Sequence, residues 1–439
     1  MVRPAGGEAQ DPRPAALPRV PPPARRRRVR EPAFSARFAA VRPRRPRRAN
    51  RARVRPAHAS LAARLPDGQA PRPPRAGRAD KSAAFTRFPG PLRGTNLALC
   101  YYFHQQGRRK AEMTNPQTPE PGAARPPTLI AMGGNSLLDP ARPPTVENQF
   151  EVTARAVLPI AELVARGEHL LITHGNGPQV GFMQLRVELA REEIHEVPLD
   201  SLVADSQGAL GYMIQRDLRE ALGRRGLDAE IATIVTEVEV DPHDRAFEEP
   251  TKPVGRFYTA EEAARLRSAR GWDMVEDSHR GWRRLVPSPA PVAIVQLATI
   301  RRLVEAGVTV IACGGGGIPV MCDAGGHLHG VEGVIDKDRA SALLAVRLGV
   351  RRMFVTTGVD AVYRDFLTGR RRPLERAGVA ELKAMAAGGQ FPPGSMGPKV
   401  EAAVYFLERG GEEVVICEPK ALVDAFEGRA GTRIVKEIA

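Results

Sequence analysis

Short apolar runs alternate with amphipathic segments along most of this 439-residue chain. The run "TLIAMGG" at 128–134 is typical of a buried strand that ends in a tight turn. Segment 146–167 has the apolar spacing of a helix, with a kink or break predicted at Pro159. The next run, "HLLITHGNGP" at 169–178, again predicts a strand followed by a glycine turn.

The same alternation continues to the C-terminus. Further helices are predicted at 178–193, 200–226, 291–306, 338–348, 379–387 and 420–427, and another begins within 391–404. Further strands are predicted at 229–240, 308–312, 351–357 and 412–419, with a hairpin near 320–333. Strands that alternate with helices imply right-handed crossovers and an α/β fold, whose mainly parallel central sheet is covered on both faces. In such sheets, ligands bind beyond the carboxyl ends of the strands.

Residues 241–290 interrupt this alternation. They contain several prolines and both tryptophans, Trp272 and Trp282, and their polar stretches alternate with short apolar ones. This pattern predicts an inserted subdomain or lid.

The net charge of +15 comes from one end of the chain. Residues 1–112 contain 27 basic and 6 acidic residues, which leaves 38 basic and 44 acidic residues in the remainder. This Arg/Pro/Ala-rich arm is not expected to form a packed core. It is interpreted as a disordered or non-native extension with the true start near Met113; a basic arm for nucleic acid or membrane and an organelle transit peptide are the alternatives. The predicted organisation is an extension over 1–126 and one domain over 127–439.

Composition also narrows the possible partners, metal sites and cellular compartments. No apolar run approaches the length of a membrane span, so a membrane partner is not expected. The four cysteines, Cys100, Cys313, Cys322 and Cys417, match no zinc or disulfide spacing, which favours a reducing cytoplasm and no protein-held metal. Because the chain beyond residue 112 is mildly acidic, a nucleic-acid partner is not favoured either.

Glycine-rich turns are the first chemical pattern. They are "GGN" at 133–135, "GNGP" at 175–178, "GGGG" at 314–317 and "GSMGPK" at 394–399. The last of them does not match the G-x-x-x-x-G-K-[ST] loop of P-loop NTPases. One such turn is ordinary in an α/β chain. Four of them suggest backbone amides that approach anionic groups closely, so at least two are predicted to bind phosphate.

Lysine usage is the second pattern. After Met113 the chain has only six lysines, and three of them, Lys252, Lys337 and Lys399, stand in turn-like contexts or at strand-to-helix junctions. A lysine retained in an arginine-rich chain suggests a need for a compact point charge. Lys383, Lys420 and Lys436 are expected to be solvated surface residues.

The two aspartates beside Lys337 are predicted to have different roles. Asp338 is expected to cap the helix that begins near it, while Asp336 lies at a strand end, where functional groups concentrate. His174 is expected to orient its glycine turn and Cys313 to be a small buried residue. Glycines and lysines without an evident base suit phosphoryl transfer to an acceptor that is already an anion.

These motifs together resemble carbamate kinases, a branch of the amino-acid kinase superfamily. The strings that match, in order from Thr128 to Val435, include "AMGGNSLL", "THGNGPQVG", "DPHDRAFEEPTKPVGRFY", "ACGGGGIPV", "GVEGVIDKDRAS" and "FPPGSMGPKVEAA". The resemblance implies a three-layer α/β/α sandwich, a homodimer, and the reaction ATP + carbamate ⇌ ADP + carbamoyl phosphate with Mg²⁺. It also implies ATP formation in arginine or similar carbamoyl catabolism.

The resemblance also assigns residues. Catalytic roles fall on Lys252, Lys337, Lys399 and Asp336. The implied substrate-binding residues are Gly133, Gly134, Asn135, Gly175, Asn176 and Gly177. The implied nucleotide- and phosphate-binding residues are Gly315, Gly316, Gly394, Ser395, Met396, Gly397 and Lys399.

Three alternatives remain at this point. A sister kinase for another small acid is disfavoured, because related kinases have a lysine in the first glycine turn and "LIAMGGN" has none. A homologue that binds ligand without turnover is disfavoured by the intact Lys252, Lys337 and Lys399. A nucleic-acid-binding protein rests only on residues 1–112.

Overall fold

The computed structural model describes residues 126–438, apart from Pro140, 278–279, 367–369, 392–393 and Ser395. The expectations for the basic arm and for a start at Met113 therefore lie outside the described residues. Within the described part, none of the helices is both long and apolar enough to cross a membrane.

The alternation of strands and helices predicted from the sequence is present. The helices are α1 (Val146–Ala156), α2 (Leu158–Ala165), α3 (Gln179–Ala190), α4 (Leu199–Gly223), α5 (Ala260–Arg270), α6 (Leu297–Glu305), α7 (Lys337–Leu348), α8 (Val379–Ala387), α9 (Met396–Glu408) and α10 (Leu422–Phe426). The strands are β1 (Thr128–Met132), β2 (Leu170–His174), β3 (Ile231–Thr233), β4 (Glu237–Val240), β5 (Lys252–Tyr258), β6 (Asp273–Glu276), β7 (Trp282–Val286), β8 (Pro291–Ile294), β9 (Thr309–Ile311), β10 (Ile318–Cys322), β11 (Leu328–Gly330), β12 (Arg352–Thr356), β13 (Val362–Arg364), β14 (Arg372–Leu374), β15 (Arg376–Gly378), β16 (Glu413–Cys417) and β17 (Thr432–Val435).

Eight strands form the central sheet, in the order β15-β17-β16-β12-β1-β2-β9-β3. All neighbours in it are parallel except β16 and β17. Successive side chains of β1 enter different cores: Leu129 packs in one apolar cluster and Ile130 in another. Because alternate residues of a strand face opposite sides, the two clusters mark the two faces of the sheet.

Helices cover both faces. The cluster around Leu129 contains apolar residues of α6, α7, α8 and α9, and the cluster around Ile130 contains those of α2, α4 and α10. A fully buried parallel sheet needs apolar side chains on both faces, and every residue of β1 and β2 is buried. The prediction of a three-layer α/β/α fold with a mainly parallel sheet is confirmed.

Besides the two-stranded antiparallel sheet β13-β14, two smaller sheets lie outside this sandwich. One has the order β11-β10-β4-β8 and includes the hairpin predicted near 320–333. The other, β5-β7-β6, is antiparallel, and α5 packs on it through a cluster of Tyr258, Ala263 and Met274. We call residues 252–286, which form β5, α5, β6 and β7, the small-sheet unit; they lie within the segment that interrupts the sequence pattern.

Two predicted elements were wrong in detail. Segment 229–240 is not one strand, because Gln207 binds both the backbone N–H and the carbonyl of Thr236 and the chain changes sheets there. Segment 291–306 is not helical throughout. Pro291–Ile294 pairs with β4 instead, and the helix begins only at Leu297.

Candidate active site

The first two glycine turns meet at the carboxyl ends of β1 and β2. A Cβ atom on Gly134 would lie 2.2 Å from the carbonyl oxygen of Gly177, and one on Gly175 would lie 2.9 Å from the backbone nitrogen of Gly134. Neither position has room for a side chain. The two turns therefore line the site with backbone groups, as the glycine pattern predicts for close approach to an anion.

The third turn, at 314–317, packs beneath the second. A Cβ on Gly314 would lie 2.4 Å from Nε2 of His174, and one on Gly315 would lie 2.3 Å from Nδ2 of Asn176. Gly315 also has a φ of +66°, which favours glycine. Packing alone therefore requires glycine at these two positions.

A cleft of about 290 Å³ opens between these turns, α7, the start of α9 and the small-sheet unit. The predicted site residues that line it are Gly133, Gly134, Gly175, Asn176, Gly177, Lys252, Gly315, Asp336, Lys337, Gly394 and Lys399. Gly316, Met396 and Gly397 are not among the lining residues: Gly316 is buried against the carbonyl of Ile335, and the other two form the first turn of α9. Ser395 and the side chain of Asn135 lie outside the described part of the structure.

The start of α7 holds two aspartates in different roles. Asp336 is the N-cap, and its Oδ1 accepts hydrogen bonds from the backbone nitrogens of Asp338 at 2.9 Å and Arg339 at 3.4 Å. The expectation that Asp338 caps this helix was therefore wrong. Asp338 lies one residue inside the helix, where its buried carboxylate binds Lys337 through Oδ1 and Lys399 through Oδ2, the latter at 3.0 Å.

Lys252 reaches the same place from the small-sheet unit. Its Nζ lies 2.8 Å from Oδ2 of Asp336, the oxygen that does not cap α7. The structure thus joins three lysines through two aspartates across the cleft. Sequence separation gives no hint of this closeness, since Lys252 and Asp336 are 84 positions apart.

The charges of this network are stabilised by their neighbours. Burial by itself would raise the pKa of the Asp336 carboxyl, but Lys252 and Lys337 hold that pKa well below its usual range. Burial opposes ionisation of Asp338 in the same way, and Lys337 and Lys399 lower its pKa. Burial lowers the pKa of Lys337, an effect that Asp338 opposes. Both carboxylates are therefore ionised at neutral pH and act as acceptors for the lysines.

His174 lies beneath the second turn and does not line the cleft. Its Nδ1 lies 2.9 Å from the carbonyl oxygen of Gly175, so the proton of the neutral ring is on Nδ1. Burial lowers the pKa of His174 to about 4. These contacts support the prediction that His174 orients the turn. Cys313 is buried, as predicted, and burial raises the pKa of its thiol to about 12.

Sequence reasoning missed several residues of the cleft. Thr357 and Gly358 follow β12, and the position of that strand's carboxyl end was available from the sequence. Gly181 and Gly255 meet where α3 touches β5: a Cβ on Gly181 would lie 3.1 Å from Cα of Gly255. Arg283, on β7, also lines the cleft, and nothing in the local sequence distinguishes it from the arginines beside it.

Comparisons with known proteins agree with this architecture. The family model of the amino acid kinase family matches residues 127–418, and the chain belongs to that family. Similar proteins within that family include carbamate kinases. The carbamate kinase of Pyrococcus horikoshii is 43% identical over 309 residues, which are 70% of this chain and 98% of that protein. A carbamate kinase-like protein of Escherichia coli is 41% identical over 311 residues, 70% of this chain and 98% of that protein.

A solved structure gives the same result. The carbamate kinase of Giardia lamblia bound to AMP-PNP has 38% sequence identity and a TM-score of 0.67, with 72% of this chain and 99% of that chain covered. The match therefore spans nearly the whole of the Giardia chain.

Proposed function

We propose that this chain is a carbamate kinase, which transfers a phosphoryl group reversibly between ATP and carbamate to give ADP and carbamoyl phosphate. One observation supports this most directly: Lys252, Lys337 and Lys399 converge on two ionised aspartates beside glycine turns that leave backbone groups facing the cleft. Such an array neutralises the spread negative charge of a transferring phosphoryl group.

The acceptor must then be an anion. The described lining of the cleft contains no histidine, cysteine or tyrosine, and its two carboxylates are bound to lysines. A carbamate oxygen is already negative and needs no base. In the ATP-forming direction, an oxygen of the ADP β-phosphate attacks the phosphorus of carbamoyl phosphate, the bond from phosphorus to the carbamoyl oxygen breaks, and carbamate leaves as an anion without proton transfer.

The two substrates are assigned to opposite sides of the cleft. We place carbamate against the turns at 133–135 and 175–177, and the nucleotide phosphates near Gly315, Gly316 and the start of α9 at 394–399. The latter assignment is supported by the helix start, whose backbone N–H groups favour anions, and by Lys399 in its first turn. The Giardia carbamate kinase was solved with AMP-PNP, which is consistent with a nucleotide site.

Mg²⁺ is assigned as a companion of the nucleotide. Among the described residues, no group of three or more His, Cys, Asp or Glu side chains is arranged to hold a metal ion, and Asp336 and Asp338 both accept bonds from lysines. This donor set fits an ion that is held chiefly by phosphate oxygens and water. When bound, Mg²⁺ would supply further neutralisation of the phosphates.

The wider setting is part of the same proposal. We assign a homodimer, a cytoplasmic location and ATP formation in arginine or similar carbamoyl catabolism, all of which rest on the resemblance to carbamate kinases. Size-exclusion chromatography with light scattering tests the dimer, and a monomer at micromolar concentration would contradict it.

A coupled assay for ATP formed from ADP and carbamoyl phosphate tests the activity. Turnover that depends on both substrates is the expected result. The second candidate, a homologue that binds ligand without turnover, is motivated by the relative named carbamate kinase-like. Binding of ADP without ATP formation would favour that candidate. Preference for another acyl phosphate over carbamoyl phosphate would favour a sister kinase instead.

A further inference from the structure

Arg283 is a second cation that the small-sheet unit places at the cleft. It lies on β7, lines the cleft together with Lys252, and has a side chain that is 23% exposed. The reaction outlined above does not use it. A largely buried arginine at the wall of a substrate cleft requires an explanation, because desolvating a guanidinium is costly unless its donors are bound.

Contacts within the described part of the protein bind only some of the N–H donors of Arg283. Nη1 of Arg283 lies 3.2 Å from Oδ2 of Asp277, and the guanidinium lies 5.4 Å from the ring centroid of Phe257. Its Nε is buried and has no hydrogen-bond partner among the described residues. Since a guanidinium has five N–H donors in a planar fork, one bond to Asp277 does not satisfy the group.

Neighbouring arginines show that this position is distinct. Arg280 shares both contacts of Arg283: its Nη2 lies 3.3 Å from Oδ1 of Asp277, and it lies 4.8 Å from the same Phe257 ring. Arg280 is 61% exposed and is not among the residues that line the cleft. Arg284 binds Glu332 and packs on Trp272.

The local charge also favours an anion. On the sandwich side and across the cleft, Lys252, Lys337 and Lys399 form ion pairs with two aspartates, Asp336 and Asp338. On the small-sheet side, Arg280 and Arg283 share the carboxylate of Asp277. Among the described residues that line the cleft, four cations, Lys252, Lys337, Lys399 and Arg283, face two carboxylates, Asp336 and Asp338, and a doubly negative ligand would offset the difference.

We infer that Arg283 binds the phosphoryl oxygens of carbamoyl phosphate from the small-sheet side of the cleft. The inference rests on the proposed function and adds a substrate-binding residue to it. The planar fork of arginine suits two oxygens of one phosphate, whereas Lys252 offers a point charge to the same group. Arg283 therefore determines affinity for the phosphorylated acceptor and not for the nucleotide.

Steady-state kinetics of R283Q in the ATP-forming direction test this, with R280Q as the matched control. For R283Q we expect the KM for carbamoyl phosphate to rise about 10- to 100-fold, the loss typical of a charge-assisted hydrogen bond, while the KM for ADP changes less than about twofold. R280Q loses the same contacts to Asp277 and Phe257 but should leave both KM values within about twofold. R283K should fall between wild type and R283Q, because it keeps the charge and loses the fork.

An unchanged KM for carbamoyl phosphate in R283Q would overturn the inference, as would an equal rise in R280Q, since the effect would then arise through Asp277. If R283Q fails to fold by thermal melting, R283K decides the matter by the same comparison of KM values.

A second measurement separates this inference from the proposed function. Inorganic phosphate should raise the thermal midpoint of wild type and R280Q more than that of R283Q. A wild-type chain that forms no ATP contradicts the proposed function, yet the phosphate comparison still decides the role of Arg283. Equal phosphate stabilisation of all three proteins would reject Arg283 as an anion ligand.

Discussion

The two sides of the cleft are built differently. On the sandwich side, Lys337 and Lys399 are 11% and 15% exposed, and one buried carboxylate, Asp338, binds both. On the small-sheet side, Lys252 is 29% exposed and binds Asp336 across the cleft. Cations held on tightly packed elements are preorganised for catalysis, because they need not move when charge develops in the transition state.

The apolar packing that supports each side of the cleft also differs, and it is more extensive on the sandwich side. The helices α7 and α9 pack against each other over the large apolar cluster of the central sheet. The small-sheet unit has the small cluster around Tyr258 at its own centre. It joins the rest of the protein through Val254 and Val286, which belong to an apolar cluster smaller than that of the central sheet. Its other links include polar ones: Tyr258 to Glu188 at 2.7 Å, Arg270 to Glu196 at 3.1 Å and Arg284 to Glu332 at 3.2 Å. We therefore propose that the small-sheet unit is a lid that moves over a fixed base.

The largest effect is expected on the fixed side. If Lys337 and Lys399 neutralise the transferring oxygens as proposed, Lys337→Ala and Lys399→Ala should each lose about 2–4 kcal/mol of transition-state stabilisation, or roughly 30- to 1,000-fold in kcat. Steady-state assays of ATP formation measure the change in kcat, and thermal melting confirms that each variant folds. Lys383→Ala is the matched control, because Lys383 is 53% exposed and pairs with Glu408 away from the cleft. Wild-type turnover in either folded variant would refute the assignment.

Lys252→Ala tests whether the small-sheet side acts on the acceptor alone. Because Lys252 binds Asp336 from the small-sheet unit, outside the region proposed for the nucleotide, we expect kcat/KM for carbamoyl phosphate to fall by about 100-fold. Affinity for ADP should change less than about twofold, whereas Lys399→Ala should weaken ADP binding about tenfold. Calorimetric titration of ADP into both variants provides the measurement. Equal losses of ADP affinity would remove the distinction between the two sides.

The stability of the sandwich side should also depend on pH, because His174 is buried beneath its second glycine turn. Its pKa of about 4 in the folded protein lies below its unperturbed value of 6.5, so the unfolded chain binds more protons between these values. Stability from the neutral ring is present above about pH 6.5 and is lost as the pH falls toward 4. Between pH 7.5 and 5, wild type should lose about 2 kcal/mol more unfolding free energy than His174→Asn, measured by urea denaturation. Parallel pH profiles would show that His174 is not buried neutral.

The smallest effect is expected from removal of the basic arm at residues 1–112. A chain that starts at Met113 keeps every described residue. The 309 residues of this protein that match the Pyrococcus carbamate kinase cover 98% of the Pyrococcus protein. We expect kcat, KM and thermal midpoint to remain within about twofold or a few degrees of the full chain. Loss of activity on truncation would show that the arm has a role, and the intact mass of the native protein locates its start.

The sequence was sufficient for the sandwich and for most of the charged site, for physical reasons. Buried parallel strands give apolar runs such as 128–132 and 170–174, and the turns at their carboxyl ends must meet at one edge of the sheet. Lys337 and Lys399 were recognised because lysine is rare in the folded part. The hydrogen-bond partners of the charged residues were harder to predict. Whether Asp336 or Asp338 caps α7 depends on a small difference in where the helix begins, and element boundaries are the least certain part of a sequence pattern.

Arg283 and the break in segment 229–240 show a second limit. In both cases a long-range contact decides the outcome: Gln207 redirects the strand at Thr236, and the sheet β5-β7-β6 brings one of several similar arginines to the cleft. Local composition has no information on such contacts, so only the folded arrangement distinguishes Arg283 from Arg280.

The backbone contact between Gly134 and Gly177 restricts how this enzyme can be redesigned. Because a Cβ atom on Gly134 would lie 2.2 Å from the facing carbonyl oxygen, no side chain can be introduced there without moving a whole turn. This point of the cleft thus offers no adjustable position for a new acceptor. Directed evolution toward a bulkier acid would have to act on the opposite wall, at Pro253 and Val254, where side chains of a separate sheet line the cleft.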